Sequence, residues 1–205
     1  MGDLNVQAAP SSVQPTEKLS IAGESDLRYI ERPIGSIFVG IIVRRGNKVF
    51  IISEDKKPEP RLIGGKVDKQ DDQKGVLPAL GEKGIAGVNY QDLIAIIRVA
   101  IKRETLEESG NVIDVERVKF AYARLGDDEK NPGKLHLQIF FDYKLKENEE
   151  WKFNPQQPPS EEEKVVKYSW VSIGYDNETK RISLDPYVKV TFSHFKALLQ
   201  FARNR

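Results

Sequence analysis

The sequence predicts a single domain of the α/β class, in which strands and helices share one core. Runs of β-branched and aromatic residues alternate along the chain with two segments whose apolar residues recur at helical spacing. Hydrophobic residues make up 39% of the 205 residues, which is enough to close a buried core. The mixed order of the segments favours an α/β or α+β sandwich.

Composition excludes several classes of protein. The chain has no cysteine, which removes a disulfide framework, cysteine-ligated zinc, iron–sulfur clusters and a thiol nucleophile. Lys and Arg number 32 against 31 Asp and Glu, so the net charge of +1 argues against binding of long nucleic acids through bulk positive charge. No apolar run approaches the ~20 residues of a membrane span. Residues 1–15 also lack the features of a secretory signal. We therefore expect a cytoplasmic protein with no membrane segment.

The first half of the chain predicts an arm, a hairpin and a long loop. Residues 1–25 contain Pro and Ser with little apolar periodicity, so we expect a flexible arm before a domain at 26–205. Two β-branched runs around a polar turn predict a hairpin over residues 36–53. The pair Gly64-Gly65 follows a short apolar piece. Residues 68–90 are polar and rich in glycine, which predicts a loop insertion.

A helix is predicted over about 92–109. Its apolar residues fall at i, i+3, i+4, i+7 and i+8, which is one face of an α-helix: Leu93, Ile96, Ile97, Ala100 and Ile101. Asn89 or Asp92 is suited to cap its start, and Gly110 lies where a helix commonly ends. Beyond it we expect strands at 115–124, 135–145 and 168–173, and a closing amphipathic helix within 188–202.

Three carboxylates extend the apolar face of the predicted helix by one turn. Glu104, Glu107 and Glu108 are related by i+3 and i+4, so all three share that face. Their mutual repulsion raises their pKa values unless a cation is present, and oxygen-only ligands suit Mg²⁺, Mn²⁺ or Ca²⁺. Arg103 is placed to hold one carboxylate in a fixed orientation. The spacing alone equally fits a solvated helix end whose charges are balanced by i,i+4 pairs, and periodicity favours that reading.

The segment Arg103-Glu104-Thr105-Leu106-Glu107-Glu108-Ser109-Gly110 resembles the R-E-x-x-E-E-x-G half of the Nudix box. The order of hairpin, Gly-Gly pair, loop and acidic helix is also similar to that of Nudix hydrolases. The resemblance implies an α/β/α sandwich with a mixed sheet over residues 26–205. It also implies hydrolysis of a nucleoside diphosphate linked to another moiety. Glu104, Glu107 and Glu108 would then hold Mg²⁺ or Mn²⁺, with Arg103, Glu104 and Glu107 catalytic and Gly64-Gly65 supporting the site.

The sequence departs from the family pattern upstream of Arg103. The full signature has a glycine about fifteen residues before the Arg and a Glu eight before it. Here Gly65 precedes Arg103 by 38 residues, and the position eight before is Ala95. Glu82, within the insertion, is one candidate for the missing acid.

The general base is a second open point, because the family uses either an acid on the box helix or a Glu on a later loop. The run 161–163 lies where such a loop is expected, and Glu162 is its middle residue. An ordinary solvated charge run is the slightly favoured explanation of these three residues.

The substrate and the partners stay open. Nucleotide sugars, ADP-ribose, nucleoside triphosphates and capped RNA ends all contain the linkage that the resemblance implies. His136 lies in a strand-like run and faces either the pocket or solvent. The alternative function is a catalytically weak or inactive Nudix-fold module that senses nucleotides. A homodimer formed through the insertion is compatible with either function.

Overall fold

Eight strands and three helices form the part of the chain that the computed structural model describes, which is residues 20–21, 23–56, 59–158, 164–176, 178–179, 181–185 and 192–203. The strands are β1 Ser20–Ile21, β2 Ile34–Arg45, β3 Lys48–Glu54, β4 Ile63–Lys66, β5 Lys119–Asp127, β6 Leu135–Lys144, β7 Val165–Asp176 and β8 Arg181–Asp185. The helices are α1 Val76–Lys83, α2 Tyr90–Ser109 and α3 Phe192–Arg203.

All eight strands belong to one sheet in the order β1-β5-β6-β2-β3-β7-β8, with β4 paired to β2. β2 and β6 are parallel, whereas the other pairs are antiparallel, so the sheet is mixed. A bidentate ion pair joins the two parallel strands, because Arg44 donates to both carboxylate oxygens of Asp142 at 2.5 and 2.8 Å. β2 pairs with three strands, β3, β4 and β6, and so forms the centre of the sheet.

Helices cover both faces of the sheet. The predicted apolar face of α2 is buried against one face, together with α1. On the other face α3 buries Ala197, Leu198 and Ala202 in a separate apolar cluster. The predicted α/β class and the sandwich of a mixed sheet between helices are thus confirmed. Across the described ranges, no helix combines the length and apolar character that crossing a membrane requires.

The long helix follows the predicted caps. The side chain of Asn89 accepts hydrogen bonds from the N–H groups of Gln91 and Asp92, so Asn89 is the N-cap. Gly110 ends the helix in the left-handed conformation with φ 77°, which glycine adopts without strain. The hairpin predicted at 36–53 is also present as β2 and β3, and they pair directly at its turn.

The insertion at 68–90 was expected to be a loop, and this expectation is wrong. It contains α1 and a 3-10 turn at Ile85–Gly87. Asp72 accepts hydrogen bonds from the first N–H groups of α1, and the buried side chains of Val76, Leu80 and Ile85 pack into the core. The many glycines concealed this helix, because they lie around and within it rather than marking an unbroken loop.

The strands at the sheet edges also differ from expectation. Ser20 and Ile21 pair with Arg124 and Ala123 of β5, so residues before the expected domain boundary at 26 take part in the sheet. Residues 1–19 of the expected arm lie outside the described residues. β8 was not predicted at all, and it extends the sheet by pairing with β7.

Candidate active site

The carboxylates of α2 lie against the Gly64-Gly65 pair of β4. Glu104 and Glu108, one helical turn apart, are only 7% and 4% exposed. The N–H of Gly64 donates to Glu108 Oε2 at 2.8 Å. A Cβ on Gly65 would lie 2.3 Å from Glu104 Oε1, so only glycine lets this carboxylate lie against the strand. The structure therefore brings together Gly64, Gly65 and the acidic face that the sequence singled out.

Arg61 holds the innermost carboxylate in place. Its guanidinium group forms ion pairs with Glu108 of α2 and with Glu54 of β3. Its Nη1 also donates to the carbonyl oxygens of Leu62 and Gly64, at 3.1 and 3.0 Å. Glu54 is 8% exposed, so this triad is largely removed from water. Sequence reasoning did not find this triad, because its three members come from separate segments of the chain.

Arg103 links the other two carboxylates to the start of the insertion. It donates to both carboxylate oxygens of Asp71, each at 3.0 Å. It also forms ion pairs with Glu104 at 2.8 Å and Glu107 at 3.0 Å. A further hydrogen bond runs to the carbonyl oxygen of Lys66. A single guanidinium group therefore fixes three carboxylates and the end of β4.

Asp71, and not Glu82, is the acid of the insertion that lies beside Arg103. Glu82 is exposed on α1, whereas Asp71 is 1% exposed and paired with Arg103. In the signature that segment 103–110 resembles, the acid lies about seven residues after the glycine, and Asp71 is six residues after Gly65. Most of the insertion at 68–90 follows Asp71, so counting backwards from Arg103 reaches Ala95 instead. Counting forwards from the glycine pair is the signal that points to Asp71.

The site carries more negative than positive charge. Five carboxylates contact two guanidinium groups, those of Arg61 and Arg103: the five are Glu54, Asp71, Glu104, Glu107 and Glu108. Burial, followed by the charge of Glu108, raises the pKa of Glu104 to about 8, although Arg103 opposes the shift. Burial also raises the pKa of Glu108 against the effect of Arg61. Additional positive charge would therefore stabilise the ionised cluster.

The donor chemistry of this cluster fits a hard divalent cation, since every side-chain ligand on offer is a carboxylate oxygen. Over the described ranges, no three Asp, Glu, His or Cys side chains are arranged as a ready set of metal ligands. The oxygens instead contact Arg61 and Arg103. Among Glu104, Glu107 and Glu108, Glu107 is the most accessible, with 18% of its side chain exposed, so it lies nearest to solvent. Glu162 lies outside the described residues.

His194 of α3 supports the loop that leads into the site. Its Nδ1 accepts the N–H of Leu62 at 3.0 Å, and the residue is 5% exposed. Burial, followed by the charge of Arg61, lowers the pKa of His194 to about 3. The ring is therefore neutral in the folded protein, whereas in the unfolded chain it gains a proton below about pH 6.5.

We expect this histidine to make the protein less stable as the pH falls from about 6.5 towards 3. The unfolded state binds the additional proton over that range, so His194 should account for a loss of about 2 kcal/mol at pH 5. Urea unfolding at pH 7 and pH 5 measures this loss. His194→Asn keeps an acceptor for Leu62 and should show the smaller change between the two pH values. Equal changes in both proteins would contradict the assignment.

Comparison with solved structures shows which known proteins share this fold. No protein-family model matches the chain. No curated protein matches it either. Among solved structures, a MutT/nudix family protein from Enterococcus faecalis aligns with 85% of this chain at 15% identity and a TM-score of 0.54. The chain spans 62% of the length of that protein. The NUDIX domain of Shewanella oneidensis NrtR, solved in complex with ADP ribose, aligns with 85% of this chain and 89% of its own length, at 11% identity and a TM-score of 0.50.

Proposed function

This chain has the Nudix fold, and from that premise we propose that it is a hydrolase that cleaves the diphosphate linkage of a nucleoside diphosphate joined to another moiety. The observation that carries the proposal is the convergence of Glu104, Glu107 and Glu108 beside Gly64-Gly65. This cluster has three more carboxylates than guanidinium groups, since five acids contact two arginines. Such a site favours the binding of divalent cations, and bound cations in turn attract a negatively charged diphosphate.

In the proposed enzyme Glu104, Glu107 and Glu108 hold Mg²⁺ or Mn²⁺. When bound, such a cation neutralises the diphosphate and lowers the pKa of an attacking water. Arg61 and the Gly64 N–H fix the position of Glu108. Arg103, itself held by Asp71, fixes Glu104 and Glu107.

The proton of the attacking water needs an acceptor. Glu107 is the most accessible of the three carboxylates that α2 contributes to the site, which supports a role there as base. Glu104 is the second candidate on the helix, and Glu162 is the candidate on the later loop. Glu162→Gln separates the loop from the helix as the source of the base, because Glu162 is not one of the proposed metal ligands: full activity in this variant excludes the loop.

The substrate is proposed to be a small nucleotide derivative. The NrtR domain was solved with ADP ribose, which supports a nucleotide ligand for this fold. Nucleotide sugars, ADP-ribose, nucleoside triphosphates and capped RNA ends all fit the proposed reaction. The cytoplasmic location and a homodimer formed through the insertion stay predictions.

A nucleotide sensor without turnover is the second candidate function. It is favoured by the contacts of Arg61 and Arg103, because their guanidinium groups already neutralise part of the charge that would hold cations. In such a protein the cluster would position a ligand rather than activate water.

The test is phosphate release, with a coupled phosphatase, from a panel of nucleoside diphosphate derivatives in Mg²⁺, Mn²⁺ or EDTA. We expect cleavage that EDTA abolishes and that Glu107→Gln lowers about 100-fold, since the variant loses a charged oxygen ligand. Glu116→Gln, an exposed acid outside the site, is the matched control and should keep full activity.

Two outcomes separate the candidate functions. Cleavage that needs metal and Glu107 establishes the hydrolase and names its substrate class. Nucleotide binding without turnover on any member of the panel would overturn the hydrolase and favour the sensor.

A further inference from the structure

The guanidinium group of Arg61 has a partner at each of its three nitrogen atoms. Nε donates to Glu54 Oε1 at 2.8 Å, and Nη2 contacts one oxygen each of Glu54 and Glu108. Nη1 donates to Glu108 Oε2 and to the carbonyl oxygens of Leu62 and Gly64. Only 18% of the side chain is exposed. Arg61 is therefore engaged within the protein on every side of its charged group.

The position of Nη1 resembles that of a bound cation. Three oxygen atoms converge on it: the carbonyl oxygens of Leu62 and Gly64 at 3.1 and 3.0 Å, and Glu108 Oε2 at 3.2 Å. Carbonyl and carboxylate oxygens are also the ligands that suit Mg²⁺ and Mn²⁺. A divalent cation bound to these oxygens and the Nη1 atom of Arg61 would compete for the same place. The guanidinium group and the cation therefore exclude each other there.

Glu108 needs a positive partner in the folded protein. It is 4% exposed, so water solvates its charge poorly. A buried carboxylate without a counter-charge is strongly unfavourable. Arg61 supplies the counter-charge by contacting both oxygens of Glu108, through Nη1 and Nη2. The acidic site therefore carries a cation of its own, and a divalent cation that binds Glu108 meets the repulsion of this guanidinium group.

Glu54 gives Arg61 a carboxylate that it can keep when Glu108 is released. Glu54 belongs to β3, is 8% exposed and pairs with Nε and Nη2. The oxygens around Nη1 belong to other residues, so the contact with Glu54 does not depend on them. Arg61 can therefore leave Glu108 without losing every counter-charge.

Among the residues that the structure describes, no ready set of metal ligands is present, so binding of a cation requires a rearrangement. We infer that Arg61 is the resident counter-cation of Glu108, and that a divalent cation binds Glu108 by displacing the guanidinium group, which stays paired with Glu54. The inference rests on the proposed function, which supplies the cation. Because the cation binds Glu108 only in the fraction of molecules that Arg61 has left, the guanidinium group raises the apparent Kd for the cation.

Mn²⁺ binding to the full chain, with no nucleotide present, tests the inference. Electron paramagnetic resonance measures free Mn²⁺ and so gives the Kd and the number of ions bound. We expect Arg61→Met, which replaces the guanidinium group by an unbranched apolar side chain, to lower the Kd for Mn²⁺ about tenfold. The matched control is Arg98→Met, which removes a surface arginine of α2 that is paired with Glu116, and it should bind Mn²⁺ as the wild type does.

Glu108→Gln separates the release of Glu108 from a general gain in negative charge. In this background Arg61→Met should change the Kd for Mn²⁺ by less than about twofold, because the carboxylate that Arg61 holds is gone. An unchanged Kd in Arg61→Met alone would overturn the inference. Equal tightening in the presence and absence of the Glu108 carboxylate would overturn it too.

A crystal structure of the wild type grown with Mn²⁺ gives a test that does not depend on the folding of any variant. Anomalous scattering locates the ion, which we expect on Glu108, with Arg61 Nη1 no longer donating to that carboxylate. An ion on Glu108 beside an unmoved Arg61, or an ion that leaves Glu108 paired with Arg61, would contradict the displacement.

Two further results distinguish this inference from the proposed function. Metal-dependent hydrolysis together with an unchanged Kd for Mn²⁺ in Arg61→Met would reject the displacement and keep the hydrolase. Tighter Mn²⁺ binding in Arg61→Met, without hydrolysis of any nucleotide on the panel, would keep the displacement and reject the hydrolase.

Discussion

Gly64→Ala is expected to lower the free energy of unfolding by about 4 kcal/mol or more. Gly64 has φ 150°, and a Cβ there would lie 2.1 Å from the carbonyl oxygen of Val39 on the neighbouring β2. That atom belongs to the backbone at the centre of the sheet, so it cannot rotate away. The N–H that Gly64 gives to Glu108 would move as well. Urea unfolding followed by circular dichroism measures the loss.

Gly46→Ala is the matched control for this change. Gly46 also has positive φ, at 59°, but no atom lies within 4 Å of the added Cβ. Its substitution should lower the free energy of unfolding by only about 1 kcal/mol, which is the cost of placing an alanine at positive φ. If the two variants lose equal stability, crowding against β2 is not the cause.

Asp71→Asn is expected to lower the free energy of unfolding by about 3 kcal/mol. Asp71 is 1% exposed and binds Arg103 through both oxygens, so removal of its charge leaves a guanidinium group without its bidentate partner. Breaking one half of a buried ion pair commonly costs ~3–5 kcal/mol, and the partial exposure of Arg103 favours the lower end. Chemical denaturation at constant pH gives the value.

Glu82→Gln is the matched control for Asp71→Asn. Glu82 was the candidate within the insertion, and it is exposed on α1. Its substitution should change the stability by less than about 0.5 kcal/mol. A loss for Glu82→Gln as large as that for Asp71→Asn would contradict the importance of the Asp71–Arg103 ion pair.

The sequence was most informative about the long helix. Its apolar residues repeat at the helical period, its N-cap and its terminal glycine were visible, and its acids extend the buried face. The identity of the acidic face as a candidate site came from the resemblance to the Nudix box, since spacing alone fitted a solvated helix end. These features are local, so a single sequence displays them.

Features made by residues far apart in sequence escaped prediction. Arg61 meets Glu108 across 47 positions and Ser36 meets His136 across 100, and only the pairing of strands brings them together. The direction of His136 depends on its register with β2, which a strand-like run does not reveal. Asp71 was missed because the insertion breaks the spacing to Arg103. In each case the missing information is tertiary.

The central position of β2 has a consequence for the order in which a growing polypeptide completes its parts. Every residue of the carboxylate cluster lies between positions 54 and 108. The parallel ladder between β2 and β6 instead joins positions about 100 apart. Pairing over such a distance forms slowly, because a long loop must close first. During translation, the acidic cluster is therefore synthesised in full before β6, the parallel neighbour of β2, begins at Leu135.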